Sequence, residues 1–218
     1  MRDGGNLVWD GVLRVTGMGP DRKRIRTVKR KDVEVFISSA VSTSREIELF
    51  ARLFASPQSD IFISMYPETF KILQYSLLKN IVLNVCSFFD PASDRRGNKN
   101  LSVPYIEKRY GEVLSGSGRA AAADARSIYE TLEIDGYRNK YFAHADVDTL
   151  TAETMLQHKL STESLLLLCL KLMIIGLDID DESRGITAEQ LYRESRMSPH
   201  DNGTALLGLL SQAAAVTV

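Results

Sequence analysis

The run at 165–175 (LLLLCLKLMII) constrains the fold more than any other part of the chain. A helix over it, capped by Ser161 or Thr162 and ending near Leu177, is apolar on nearly every side. Such a helix has to be covered all round, by neighbouring helices or by a second subunit. The run is too short to cross a bilayer and is interrupted by Lys171. It therefore predicts a helix buried on all sides, as part of an all-α fold.

The remaining apolar spacing agrees. Over 32–56, Val33, Phe36, Ile37, Ala40, Ile47, Phe50, Ala51 and Phe54 recur at three- and four-residue intervals, and Pro57 and Ser59 end the helix. Pro67 and Glu68 open a second helix of about twenty residues, through Phe70, Leu77, Ile81, Val85 and Phe89. It is apolar on most sides towards its C-terminal end, which predicts the central helix of the bundle. Residues 90–101 (DPASDRRGNKNL) are too polar to pack a core and read as a loop, in which 95–99 (RRGNK) is either a mobile stretch or a basic flap that positions RNA; Ser102 is the N-cap of a shorter helix with Pro104 just inside it. The run 115–118 (SGSG) breaks that helix. A long alanine-rich helix follows through Ala125, Ile128, Leu132 and Tyr137 towards Ala143, weakened at Gly136. Two amphipathic pieces close the chain, Thr187 to Glu194 and Thr204 to Ala214. The expected organisation is a basic N-terminal extension over 1–31, an up-and-down helical bundle over 32–180 and a C-terminal helical extension over 181–218.

A net charge of −1 excludes a polycation that coats nucleic acid along its whole surface, so any such binding has to come from local patches. Arg22, Lys23, Arg24, Arg26, Lys29, Arg30 and Lys31 form one, either a solvated flank or an arm that attracts RNA phosphate. The two cysteines, Cys86 and Cys169, sit in apolar runs and read as small buried hydrophobes rather than a disulfide framework. Residues 1–30 lack the pattern of a signal peptide. A soluble, cytoplasmic protein is expected.

The chemistry-bearing stretch is Tyr137, Arg138, Asn139, Lys140, Tyr141, Phe142, Ala143, His144, Ala145, Asp146. Histidine exchanges protons near neutrality, and arginine offers a permanently charged planar fork suited to phosphate. On a regular helix residues six apart are separated by about 120° around the axis and about 9 Å along it. A joint role for Arg138 and His144 therefore needs a helix that ends or distorts before His144, or two copies that meet. The plain alternative is an Arg and a His making ordinary caps and ion pairs.

The order Arg138, Asn139, a short spacer and His144, late in an all-α bundle, resembles the signature of the HEPN superfamily. Three further pieces are similar to its abortive-infection AbiU-like branch. They are Arg138-Asn139-Lys140 continuing to Ala143-His144-Ala145-Asp146, Phe88-Phe89-Asp90-Pro91 closing an apolar helix, and Asn100-Leu101-Ser102 opening the next. The resemblance covers roughly 32–180. It implies a metal-independent endoribonuclease, a toxin or phage-defence effector, in which the 2′-hydroxyl of RNA attacks the adjacent phosphorus. His144 would be the acid or base, Arg138 would neutralise the phosphoryl oxygens, and Asn139 would orient either group. Asp146 could fix the imidazole tautomer, and Lys140, Tyr141, Asp90, Arg95 and Arg96 are supporting or RNA-binding candidates. The implied partners are RNA, a second copy of the chain in a homodimer and an antitoxin protein, with no membrane and no cofactor. Asp146 stands where several toxin members carry a modifiable Tyr, which argues against regulation by that route. A catalytically inactive HEPN-like module, binding RNA or nucleotide or acting as a scaffold, is the alternative.

Other chemistries lack their motifs. His144 with Asp146, or Asp178 with Asp180 and Asp181, have no further ligands at helical spacing for a metal. Neither a glycine-rich phosphate loop nor a serine-hydrolase elbow occurs.

Overall fold

The computed structural model describes residues 31–54, 60, 63–139, 160–180, 185–198 and 203–216. They form an all-α fold with helices α1 (Lys31–Phe54), α2 (Pro67–Ser87), α3 (Val103–Tyr110), α4 (Gly116–Thr131), α5 (Ile134–Tyr137), α6 (Thr162–Ile179), α7 (Ala188–Ser195) and α8 (Thr204–Val216). Among the described residues there is no strand, and a single bridge joins Ser93 to Lys99.

The helix containing the run at 165–175 is α6, and it is the centre of the bundle, packed between α1 and α4. Leu168, Cys169, Leu172, Met173 and Ile175 are wholly buried. The close approach to α1 depends on Gly176. A Cβ there would stand 2.3 Å from Cγ1 of Ile37, inside any tolerable contact. On the other side Ala121, Ala122 and Ala125 of α4 are buried and form the seam that small side chains allow. Ser161 caps α6 by accepting from the Ser164 amide. At the far end Asp178 accepts from the amide of Ser115 at 2.7 Å and from its hydroxyl at 2.6 Å, which ties α6 to the start of α4. The Asp178 carboxylate considered above as a metal ligand is thus engaged by a helix cap.

Three expectations about elements need correction. The second long helix, α2, is not central. Its C-terminal half is buried at Ile81, Val82, Val85 and Cys86, but Ile72, Leu73 and Tyr75 in its first half are 63%, 46% and 50% exposed. The apolar content of that half marks a face that the described residues leave open, not a core. The run 115–118 does not break α3, which already ends at Tyr110 with Gly111 as its C-cap; it begins α4, with Ser115 as the N-cap and Gly116 to Gly118 in the first turn.

The alanine-rich helix does not continue to Ala143 either. It stops at Thr131, three residues before α5 begins, and Glu133 takes a left-handed conformation (φ 51°). That conformation disfavours a non-glycine residue. The reversal is held from both sides, because Leu132 and Ile134, its immediate neighbours, are both buried in the main core. A regular helix would have turned one of them towards water. Gly136, where weakening was expected, lies within α5 with open space around it.

Residues beyond α6 fold back on α1. Tyr192 of α7 donates to Glu48, and Arg45 donates to the carbonyl of Ser195. Thr187 and Gln190 form a reciprocal capping box at the start of α7. Leu207 of α8 joins Leu53 and Phe70 in a second, smaller cluster. No helix among the described residues is long and apolar enough to cross a membrane.

Candidate functional site

The break after α4 determines where Arg138 stands. It follows the four-residue α5 directly, and the backbone at 138–139 widens into a π-type turn. Arg138 is therefore not on a long regular helix, which removes half of the geometric objection to a joint role with a later residue.

Its guanidinium meets Asp90. Nη1 of Arg138 donates to Oδ1 of Asp90 at 2.9 Å, with the two side chains 36% and 32% exposed. The hydrogen bond to Asp90 raises the already high pKa of Arg138 further, over an opposing contribution from desolvation. Among the described residues this is the one hydrogen bond its side chain makes, and a guanidinium fork carries five donors in all, a geometry suited to phosphate oxygens.

Asp90 is placed by a closed excursion of the chain. The amide of Val103, the first residue of α3, donates to the carbonyl of Phe88 at 2.7 Å, so the two ends of the 90–101 loop are pinned together. Inside it, Oδ1 of Asp94 accepts from the amides of Arg96 and Asn98, and Oδ2 accepts from the Asn98 side chain, all at 2.8 Å. These bonds, the Asn98 side chain first, lower the pKa of Asp94. Gly97 supplies the positive φ (83°) that the turn needs, and the Asn100 side chain donates to the Pro91 carbonyl at 2.8 Å. The segment expected as a loop is one, and it is tied together by its own Asp94, Asn98 and Asn100 side chains. Arg95 and Arg96 are exposed on this turn.

Beneath the ion pair lies a layer that sequence reasoning missed. Tyr129 donates to Sγ of Cys86 at 3.5 Å and stacks on Phe89 at 4.2 Å between ring centroids. The Cys86 thiol in turn points at the Ile134 carbonyl, 4.0 Å away. Burial raises the pKa of both Cys86 and Tyr129, and both lie near enough to Arg138 for its charge to oppose that rise. The layer fixes the end of α2 against α5 and so sets the Asp90–Arg138 distance. The one available signal was spacing, since Cys86 lies in the last turn of α2 and Asp90 four residues on, just past its end.

Asn139 does not turn towards Asp90. Its side chain donates to Asp135, one turn earlier, at 3.3 Å. Lys140, Tyr141, His144 and Asp146 lie outside the described residues. Of the candidates, then, the structure brings together Asp90 and Arg138.

A second polar cluster, also missed, joins the start of α1 to α3. Asp32 accepts from Tyr110 at 2.8 Å through either oxygen and from Tyr105 at 3.0 Å, and Arg109 lies 3.4 Å away. Tyr105 and Arg109 are four apart on α3, a spacing that could have indicated a shared face. Comparisons with protein-family models, with curated proteins and with solved structures give no match.

Proposed function

We propose that this chain is a metal-independent endoribonuclease of the HEPN type, acting as a toxin or phage-defence effector. The observation that carries the reading is the Asp90–Arg138 pair. A partly exposed guanidinium stands where the helix has broken, on the N-terminal side of His144, held by the Asp of the Asp-Pro turn. In this reading Arg138 neutralises the phosphoryl oxygens as charge builds during attack by the 2′-hydroxyl. His144 moves the proton, either taking it from that hydroxyl or returning it to the departing 5′-oxygen. Asp90 positions the guanidinium. Two copies of the chain would bring a pair of such motifs to one cleft.

The test is cleavage of RNA by the purified chain with EDTA present. Products ending in 2′,3′-cyclic phosphate are expected, and Arg138→Ala and His144→Ala should each abolish them. Expression in bacteria should arrest growth, and His144→Ala should relieve the arrest. Cleavage that survives both substitutions rules out these roles.

One observation favours a second reading. The carboxylate of Asp90 already offsets part of the Arg138 charge, which suits a module that binds RNA or nucleotide without cleaving it. Salt-dependent RNA binding with no products would select that reading.

A further inference from the structure

The 90–101 loop has two ends with different neighbours. Asp90, at one end, holds Arg138. Lys99, Asn100 and Leu101, at the other, line a groove of about 370 Å³ whose remaining walls are Lys31, Asp32, Val35 and Tyr105. That volume is at the lower end of the roughly 300–1,000 Å³ range of ligand sites. The surface of the groove is mostly carbon, and Val35 on its wall is 45% exposed.

Charge identifies the occupant. Among the described residues Asp32 is the one acidic side chain that lines the groove, and Tyr105, Tyr110 and Arg109 already engage its oxygens. Lys31 and Lys99 are exposed, and among the described residues neither has an acidic partner. An apolar wall with an aromatic ring, flanked by two ammonium groups, complements a flat base carried on an anionic backbone. An acidic peptide would match the two lysines but not the carbon wall between them, and a purely apolar segment would leave both lysines against carbon. The sequence leading into Lys31 adds Arg22, Lys23, Arg24, Arg26, Lys29 and Arg30 to the same sign of charge.

We propose that this groove is a nucleotide subsite for single-stranded RNA, with the base on Val35, Leu101 and Tyr105 and phosphates on Lys31 and Lys99. The strand then runs along the 90–101 loop, past Arg95 and Arg96, to Arg138. The inference rests on the RNA reading above and adds to it where the substrate is held away from the reacting linkage.

The experiment uses the full chain carrying His144→Ala, so that RNA stays whole, and a short fluorescein-labelled single-stranded RNA read by anisotropy at several salt concentrations. Adding Lys31→Gln and Lys99→Gln together should weaken binding about tenfold at low salt. It should also reduce the slope of log affinity against log salt by about 1.4, since each phosphate contact on a single strand contributes about 0.7. Val35→Asp, at an exposed position, should weaken binding comparably and leave thermal unfolding unchanged. Affinity and slope equal to the parent in both variants overturn the subsite, as does an RNA that fails to bind the parent at low salt.

Trp9, the one tryptophan in the chain, reports on a rival occupant. Its emission should not move with Val35→Asp; a shift would mean that the N-terminal segment fills the groove, and the proposal would fall. Cleavage by the chain with His144 intact is scored separately. Products together with unchanged affinity of the lysine variants sink the subsite alone. Lysine-dependent binding without products sinks the nuclease reading alone.

Discussion

Nη1 of Arg138 lies 2.9 Å from Oδ1 of Asp90, so the residue that follows α5 and a residue three positions beyond the end of α2 form one unit. Both side chains are about one-third exposed, and pairs of that kind add under about 1 kcal/mol to stability. The pair therefore does little to hold the fold, and its substitutions should read out in activity. Asp90→Asn, which keeps an acceptor but loses the charge, should lower RNA cleavage about tenfold with a change in Tm of at most a degree or two. Arg138→Ala should lower cleavage by at least about 10²–10³-fold, the loss typical of removing a group that stabilises transition-state charge and enough to take the products below detection. Faster cleavage by Asp90→Asn would show that Asp90 quenches the guanidinium rather than positioning it.

How much of this was legible beforehand depended on whether one helix sufficed to reveal it. The burial of α6 was visible because a run of eleven residues with one charge, Lys171, leaves no face for water. The alanine-rich helix that became α4 and the cap at Ser102 were visible for similar local reasons. The stop at Thr131 was not, because nothing in Leu132-Glu133-Ile134 is a helix breaker. The left-handed Glu133 exists only because two neighbouring apolar side chains fall into the same core. The openness of the first half of α2 escaped for the opposite reason, since Ile72, Leu73 and Tyr75 look like core residues until their surroundings are known. In the site, Arg138 and Asp90 could be singled out from their motifs, but their contact could not. It depends on the Cys86–Tyr129 layer, which joins residues 43 apart in the chain.

That layer makes a prediction about thiol chemistry. Cys86 is 2% exposed and its pKa is raised by burial; Cys169 is wholly buried, and burial pushes its thiol up to about 12. Since the thiolate is the reactive form, neither should react with a disulfide reagent at pH 8 over minutes, and both should react at once in guanidinium chloride. Prompt release of one equivalent from the folded chain would mean that the α2–α5 contact opens readily.

Gly176 offers a test of the α1–α6 contact. Alanine is the better helix former by roughly 0.5–1 kcal/mol, yet its Cβ would stand 2.3 Å from Cγ1 of Ile37, which belongs to a β-branched side chain whose χ1 is restricted in a helix. Overpacking of this kind costs about 1–3 kcal/mol, so Gly176→Ala should lower Tm by several degrees. With Ile37→Ala added, the loss should be smaller than the sum of the two single losses, because the second change removes the atom that the first one strikes. Simple additivity in thermal melts would place the two helices farther apart than described.

The Asp32 cluster should make stability depend on acid. Partial burial pushes the Asp32 carboxyl up, but hydrogen bonds from Tyr110 and Tyr105, with the charge of Arg109, outweigh it and leave the pKa below its ordinary 3.8. A carboxylate whose folded pKa is depressed contributes its full stabilisation above the unfolded value, and loses it as pH falls through the folded value. Hydrogen bonds to a charged acceptor are worth about 1.5–3 kcal/mol when well shielded; for a side chain still 24% exposed, about 1–2 kcal/mol is the expected difference between the parent and Asp32→Asn at pH 7. Urea unfolding at pH 7, 5, 4 and 3 should show that difference unchanged down to about pH 5, then shrinking below pH 4 as the parent takes up the proton that the amide cannot. The phenols supply a complementary limb: burial, followed by the bond to Asp32, raises the pKa of Tyr105 and of Tyr110 above 10. The stabilisation from these two groups is present below pH 10 and disappears as pH rises through the folded values. A parent–variant difference that stays constant from pH 7 to pH 3 would mean that Asp32 is not the acceptor joining α1 to α3, and one wall of the groove beside it would lose its support.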